Sequence, residues 1–307
     1  MQGSVEAADA PIVSQRSQTT ERSVAEGDTL SPVQTTGGAD AEIDPAVLVT
    51  VDDKDPAVAV VTLNRPAKRN ALTTELKEAL LEALERVAAD AGVRAVVLVG
   101  SGKSFCVGQD LGEHVQALEA NPETAFDTVG KHYNPIVRAL ATMPKPVIAA
   151  INGGAVGAGL GFALACDLRV AADTATFATA FSAIGLTADS GLSASLVHSL
   201  GAARATELLL LGEPFDAAQA QASGLVRAVV PVEDVLGSAL DLARRLAVGP
   251  TLAYAEIKKA VAIGAVSSLD TVLEAEGAAQ ARLGTTQDHR AAVDAFLAKR
   301  RPSFEGR

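Results

Sequence analysis

Lys145-Pro146-Val147-Ile148-Ala149-Ala150-Ile151-Asn152-Gly153-Gly154-Ala155-Val156-Gly157-Ala158-Gly159-Leu160-Gly161 is the stretch on which the reading of this chain turns. Five consecutive apolar residues, Val147 to Ile151, describe a strand buried on both faces, the kind found in sheets covered by helices. The glycine-containing turn behind them opens a helical pattern at 157–165. Small residues there let a ligand come close to the main chain, and a helix N-terminus offers unpaired N–H groups and the positive end of its dipole. A second turn of this kind, Ser104-Phe105-Cys106-Val107-Gly108-Gln109-Asp110-Leu111, follows the apolar run Ala95 to Val99, which Gly100-Ser101-Gly102 ends. Two N–H groups aimed at one point make an oxyanion hole. Plain packing of helix on strand accounts for either turn equally well.

Two other readings of the glycines fail. In a dinucleotide fingerprint starting at Gly157-Ala158-Gly159, the third small position falls on Phe162, and no Gly-Lys-Ser/Thr follows to make a phosphate-binding loop.

Outward from these turns, 47–51 and 58–63 read as two strands joined by the turn Asp52-Asp53-Lys54-Asp55-Pro56. Leu76, Leu80, Leu84 and Val87 recur at helical spacing, with Glu75 in the first turn where the dipole favours a carboxylate. Strands are predicted at 168–172 and 226–230, helices at 131–142, 191–199 and 202–211, and only helices beyond about Pro231. Strands alternating with helices predict a layered α/β fold with buried sheets. Residues 1–45 are rich in Ser, Thr, Gln, Gly and acids without a hydrophobic period, and are expected to be a disordered tail.

The 307 residues are 48% apolar but only 3% aromatic, so the core should be built from small aliphatic side chains. A net charge of −11 argues against nucleic acid as a partner, while leaving room for a small anionic ligand held by a few local cations. Two cysteines, Cys106 and Cys166, make neither a disulfide framework nor a CxxC motif, so a reducing, cytoplasmic setting is expected. No apolar run reaches membrane-spanning length, and the N-terminal stretch lacks a signal-peptide layout. His132, His198 and His289 show no metal-ligand spacing, and Cys106 has no evident basic partner to activate it.

Six segments, taken in order, resemble the crotonase (enoyl-CoA hydratase/isomerase) superfamily. They are Val61-Thr62-Leu63-Asn64-Arg65-Pro66-Ala67-Lys68-Arg69-Asn70-Ala71-Leu72, Phe105 to Leu111, Lys145 to Gly153, Phe181-Ser182-Ala183-Ile184-Gly185-Leu186 with Gly191, Ala220 to Val226, and Phe296 to Phe304. The resemblance implies a spiral of ββα units over 46–244 and a C-terminal helical trimerisation region at 245–307, assembled as a homotrimer or dimer of trimers. It implies a CoA-thioester substrate, no metal and no cofactor beyond the substrate's own CoA, and an enolate held by the backbone N–H groups of Gln109 and Ala158. The family usually has glycine where Ala158 stands. Substrate or CoA contacts are implied at Arg65, Lys68, Cys106, Val107, Gly108, Asp110, Leu111, Gly157, Gly161 and Phe181, and His114 could face the acyl pocket or solvent.

The same resemblance places the two glutamates of typical enoyl-CoA hydratases at Gly161 and Phe181, neither of which can move a proton. Asp189, in Gly185-Leu186-Thr187-Ala188-Asp189-Ser190-Gly191, resembles the single aspartate of a family subgroup that includes ring-enoyl-CoA isomerases of phenylacetate breakdown. The position also matches the nucleophile of aroyl-CoA dehalogenases, which need an activating histidine not identifiable here. Alternatively, Asp189 caps a helix beginning near Ser190. The resulting expectation is double-bond isomerisation with Asp189 as proton shuttle; hydration of a 2-enoyl-CoA and a non-catalytic acyl-CoA-binding scaffold are the alternatives.

Overall fold

Strands of five or six residues, each broken by a short turn and resumed as a strand of three, generate the architecture, and in the first two units the long strand is wholly buried and the turn contains glycine. The computed structural model describes residues 44–307, so the tail expected at 1–45 lies outside the described residues except for its last two. A hairpin of β1 (Val47–Asp52) and β2 (Asp55–Leu63) leads into α1 (Thr74–Ala89), whose N-terminus is capped by the Thr73 hydroxyl accepting from the Leu76 N–H. Three units follow: β3 (Ala95–Gly100), β4 (Ser104–Cys106) and α2 (Leu111–Ala120), with α3 (Asn134–Thr142) behind them; β5 (Val147–Ile151), β6 (Gly154–Val156) and α4 (Ala158–Ala165); β7 (Leu168–Ala172), β8 (Thr176–Ala178) and α5 (Leu192–Leu200). The chain continues through α6 (Ala202–Leu211), β9 (Phe215–Asp216), α7 (Ala217–Ala222), β10 (Ala228–Val230) and α8 (Val235–Ala247), and ends in α9 (Thr251–Gly264), α10 (Leu269–Leu283) and α11 (Gln287–Leu297).

Each unit gives its first strand to one sheet and its second to another. The larger sheet runs β1-β2-β3-β5-β7-β10 and is parallel except at the β1–β2 hairpin. The smaller runs β4-β6-β8-β9, antiparallel only at β9. The result is the ββα spiral. β3 and β5 are buried along their whole length, as their unbroken apolar sequence requires. The short strands of the smaller sheet were not legible in the sequence, because three residues display no period. The predicted strand at 226–230 starts only at Ala228, since the Val226 N–H turns back to the Ala220 carbonyl.

Ile43–Arg307 forms one compact unit. The Arg94 guanidinium ties the last helices to it, donating to the carbonyls of Gly249 and Phe304 and to Thr251 Oγ1. A Lys258–Asp167 ion pair of 2.8 Å adds a second tie.

The two glycine turns meet where α4 starts. A Cβ placed on Gly159 would lie 2.3 Å from the Cys106 carbonyl oxygen, so main chain packs directly on main chain. Gly159→Ala is expected to lower unfolding free energy by roughly 1–3 kcal/mol, because the backbone of β4 has to move. Urea unfolding checks this, and an unchanged midpoint would show that the contact is looser than described.

Candidate active site

The first turn presents one free amide. Leu72 and Gln109 form an isolated parallel bridge in which the Leu72 N–H donates to the Gly108 carbonyl (2.8 Å) and the Asp110 N–H to the Leu72 carbonyl (3.1 Å). This uses the polar groups on either side of Gln109 and leaves the Gln109 N–H directed away from Leu72. The second turn presents another. Ala158 is the first residue of α4, so its N–H has no partner within the helix. Neither amide has an acceptor among the described residues. Ala158 takes no left-handed conformation, so its methyl adds no backbone strain.

Gln109 and Ala158 both line one cavity of about 630 Å³. Gly108 and Ala158 approach closely across it: a Cβ on Gly108 would lie 3.6 Å from the Ala158 nitrogen. The walls are largely apolar, with Phe126, Val129, Tyr133, Phe181, Ile184 and Leu186 around the interior and Lys68 and Arg69 also contributing.

Two carboxylates line this cavity, and their surroundings separate them. Asp110 accepts from the Gly112 and Glu113 amides, capping α2, and pairs with Arg65 at 3.1 Å. Desolvation alone would push its carboxyl up, but Arg65 and the capping amides outweigh it and hold Asp110 below the usual carboxylate range. Asp189 has only the Ser190 hydroxyl, 2.8 Å from its Oδ1. Burial dominates, and its carboxyl is raised above the ordinary value despite that bond. Asp110 is held as an anion by Arg65 and the capping amides, whereas Asp189 holds its proton more tightly than an ordinary carboxylate.

The capping alternative for Asp189 does not hold. α5 starts at Leu192, with Gly191 at its cap, and the Leu192 N–H reaches the Asp189 backbone carbonyl, not its side chain. Ser190 and Gly191 both take positive φ, 52° and 67°, which turns the carboxylate away from the helix. Gly161 accommodates this loop: a Cβ there would lie 2.6 Å from Ser190 Cβ.

Of the residues singled out in the sequence, Lys68, Val107, Gly108, Gln109, Asp110, Leu111, Gly157, Ala158, Phe181 and Asp189 line the cavity, and so does His114. Arg65, Cys106 and Gly161 do not. The Arg65 guanidinium donates through Nη1 to Asp110 and to the Ala71 carbonyl, so it braces the first turn. Cys106 is buried beneath α4, its thiol pushed up to about 12 by desolvation, and cannot touch a ligand in the cavity. Gly161 is covered by Ser190.

Tyr133, Thr128 and Lys77 were missed. The Tyr133 hydroxyl donates to Gln109 Oε1 in a short hydrogen bond, and Lys77 Nζ reaches the same oxygen at 3.2 Å and Thr128 Oγ1 at 2.7 Å. Tyr133 precedes Ile136 and Leu140 at helical spacing, which reads as core packing alone. Lys77, three and seven residues before Leu80 and Leu84, sits on the apolar stripe of α1, and that placement was the available signal.

Comparison with known proteins follows this geometry. Residues 53–307 match the Enoyl-CoA hydratase/isomerase family. The chain is 41% identical over 254 residues to 1,2-epoxyphenylacetyl-CoA isomerase of Escherichia coli, covering 82% of this chain and 97% of that protein. It is 36% identical to 2,3-dehydroadipyl-CoA hydratase of the same organism, covering 81% and 96%. A crystal structure from Mycobacterium abscessus, described as an enoyl-CoA hydratase/isomerase, superposes with a TM-score of 0.81 at 51% identity over 85% of this chain and 100% of that one.

The raised Asp189 carboxyl has a consequence for stability. The folded protein holds that proton more tightly than the unfolded chain, so the group favours folding at acid pH and opposes it as pH rises through its folded pKa. Asp189→Asn is therefore expected to raise the thermal midpoint at pH 7, with the gain shrinking toward pH 4. Thermal unfolding at both pH values measures it, and a lower midpoint at pH 7 would contradict the desolvation account.

Proposed function

The chain belongs to the enoyl-CoA hydratase/isomerase family, and from that premise we propose that it shifts the double bond of an acyl-CoA thioester, with Asp189 carrying the proton and the amides of Gln109 and Ala158 holding the enolate oxygen. Activity on enoyl-CoA substrates follows from the family; the choice of isomerisation over hydration is our reading of the site. The observation that carries it is the pair of cavity carboxylates, of which one is locked as an anion and the other is half-buried with a raised pKa.

Removal of a proton beside a thioester moves the electron pair onto the carbonyl oxygen. Two preoriented N–H donors meet that charge without reorganising water, and loss of one such donor typically costs about 3–4 kcal/mol of barrier. Asp189 accepts the proton and returns it two carbons along, while the electron pair flows back from the oxygen. The proton is conserved, and no water or added cofactor takes part. Acid–base catalysis of this type contributes about 10²–10⁴-fold.

Hydration by the two-glutamate route lacks its groups here. Phe181 cannot titrate, and a side chain at Gly161 would run into Ser190. The apolar, partly aromatic cavity favours a bulky or ring-bearing acyl group, in keeping with the name of the Escherichia coli isomerase. Lys68 and Arg69 supply cations for the CoA phosphates. On α9–α11, apolar side chains such as Val261, Val266, Leu269 and Phe296 are exposed. We assign their cover to further copies of the chain, in a trimer or dimer of trimers, in a reducing, cytoplasmic setting.

The test is incubation with 2-enoyl- and 3-enoyl-CoA, following the conjugated thioester by absorbance and the products by mass. Interconversion without mass gain is expected, and Asp189→Asn should lower kcat by about 10²–10⁴-fold. Formation of 3-hydroxyacyl-CoA would move the protein to the hydratases. Tight CoA-thioester binding with neither reaction would make it a scaffold.

A further inference from the structure

α1 buries an ammonium group where a leucine would pack. Lys77 is 1% exposed and lies on the face that carries Leu80 and Leu84. No carboxylate pairs with it among the described residues; its Nζ contacts are Thr128 Oγ1 at 2.7 Å, Gln109 Oε1 at 3.2 Å and the face of the Tyr133 ring, 5.3 Å to the centroid. Burying a charge with only neutral partners opposes folding. Desolvation accordingly draws its pKa down, with the more distant Glu113, Glu78 and Asp110 pulling it back. Stability therefore does not explain the residue.

Position does. Lys77 does not line the cavity, yet Gln109, Thr128 and Tyr133 all do. The ammonium stands immediately behind the wall, against the side-chain carboxamide of Gln109. Its contacts are themselves held. Thr128 accepts from Lys77, and its hydroxyl lies 3.0 Å from His132 Nδ1. The Tyr133 hydroxyl adds a second donor to the same Gln109 oxygen.

We propose that Lys77 is a positioning residue for the enolate site: with Tyr133 it clamps the Gln109 side chain, which fixes the direction of the Gln109 N–H, and it adds positive potential where the substrate oxygen becomes negative. Fixed charge in a water-poor site acts on a developing oxyanion without reorganising as the reaction proceeds. Rigid anchoring matters because a small misplacement of a catalytic donor is enough to lose rate. The proposal rests on the enolate reading given above.

The variants are Lys77→Met, which keeps chain length and packing while removing charge, Lys77→Arg, which restores charge, and Tyr133→Phe. Three readouts are needed: kcat and KM for isomerisation, the thermal midpoint, and the absorbance shift of a bound cinnamoyl-type CoA thioester, whose red shift reports polarisation of the thioester carbonyl. Lys77→Met is expected to lower kcat by about 10- to 100-fold with KM changed far less. Its thermal midpoint should stay level or rise, and the red shift should shrink. Lys77→Arg should regain part of both. The Lys77→Met/Tyr133→Phe double variant should lose little more than the worse single one, since both act through Gln109.

If Lys77→Met keeps kcat within about twofold and leaves the red shift intact, the proposal is overturned. If Lys77→Met does not fold, Tyr133→Phe decides alone: an unchanged kcat and red shift overturn the clamp, and a loss of both with the midpoint retained supports it. If the wild type neither isomerises nor exchanges the proton beside the thioester, the enolate reading fails instead. The red shift still tests Lys77 then, because it needs polarisation and not turnover.

Discussion

Backbone lies on backbone where the first turn of α4 meets β4, and the site depends on that contact. Gly159 leaves no room for a side chain against the Cys106 carbonyl. The helix N-terminus is thereby drawn up beside the Gly108–Gln109 turn, and Ala158 comes to line the cavity that Gln109 lines. Each amide is unpaired for a separate reason: one starts a helix, the other sits between two bridge hydrogen bonds. An orphan N–H at a helix start is common. Two of them held at one cavity wall require the two sheets to be stacked through these turns, which the ββα repeat provides.

The second constraint is how the carboxylates are divided. Arg65 and the start of α2 consume Asp110, and its job is to brace the turn that presents Gln109. Asp189 is left with one hydroxyl and a desolvated setting. Glycine at 161 lets the Ser190 loop settle against α4, so the absent side chain at that position and the aspartate next to Ser190 belong to one arrangement. A glutamate at 161 and the present loop position are sterically incompatible.

Much of this was legible in the sequence and some was not, for identifiable reasons. The long strands announced themselves because burial on both faces demands unbroken apolar runs such as Val147 to Ile151. The glycine turns and their amides were legible because backbone chemistry depends on spacing and small size. β4, β6 and β8 were hidden by their brevity. Asp189 allowed a capping interpretation because side-chain direction is set there by positive φ at Ser190, a conformation that serine rarely reveals in advance. The Arg65–Asp110 pair was not legible because its partners lie 45 residues apart in sequence. Lys77 was passed over because a lysine beside Leu76 resembles the edge of an amphipathic stripe until the helix is packed.

Two groups at the cavity oppose folding: Lys77 is a buried cation with no carboxylate partner among the described residues, and Asp189 is a desolvated acid. Local rules broken together at one cavity, and kept across the surrounding aliphatic core, mark a place where selection acts on chemistry and not on stability. The core can bear this because it is built from many small, well-buried side chains: β3, β5 and the inner face of α1 are close to fully enclosed. On the proposed enolate reading, charge that develops on a bound oxygen is met by groups already in place, and the same groups polarise the carbonyl of the neutral thioester in the same direction but less strongly.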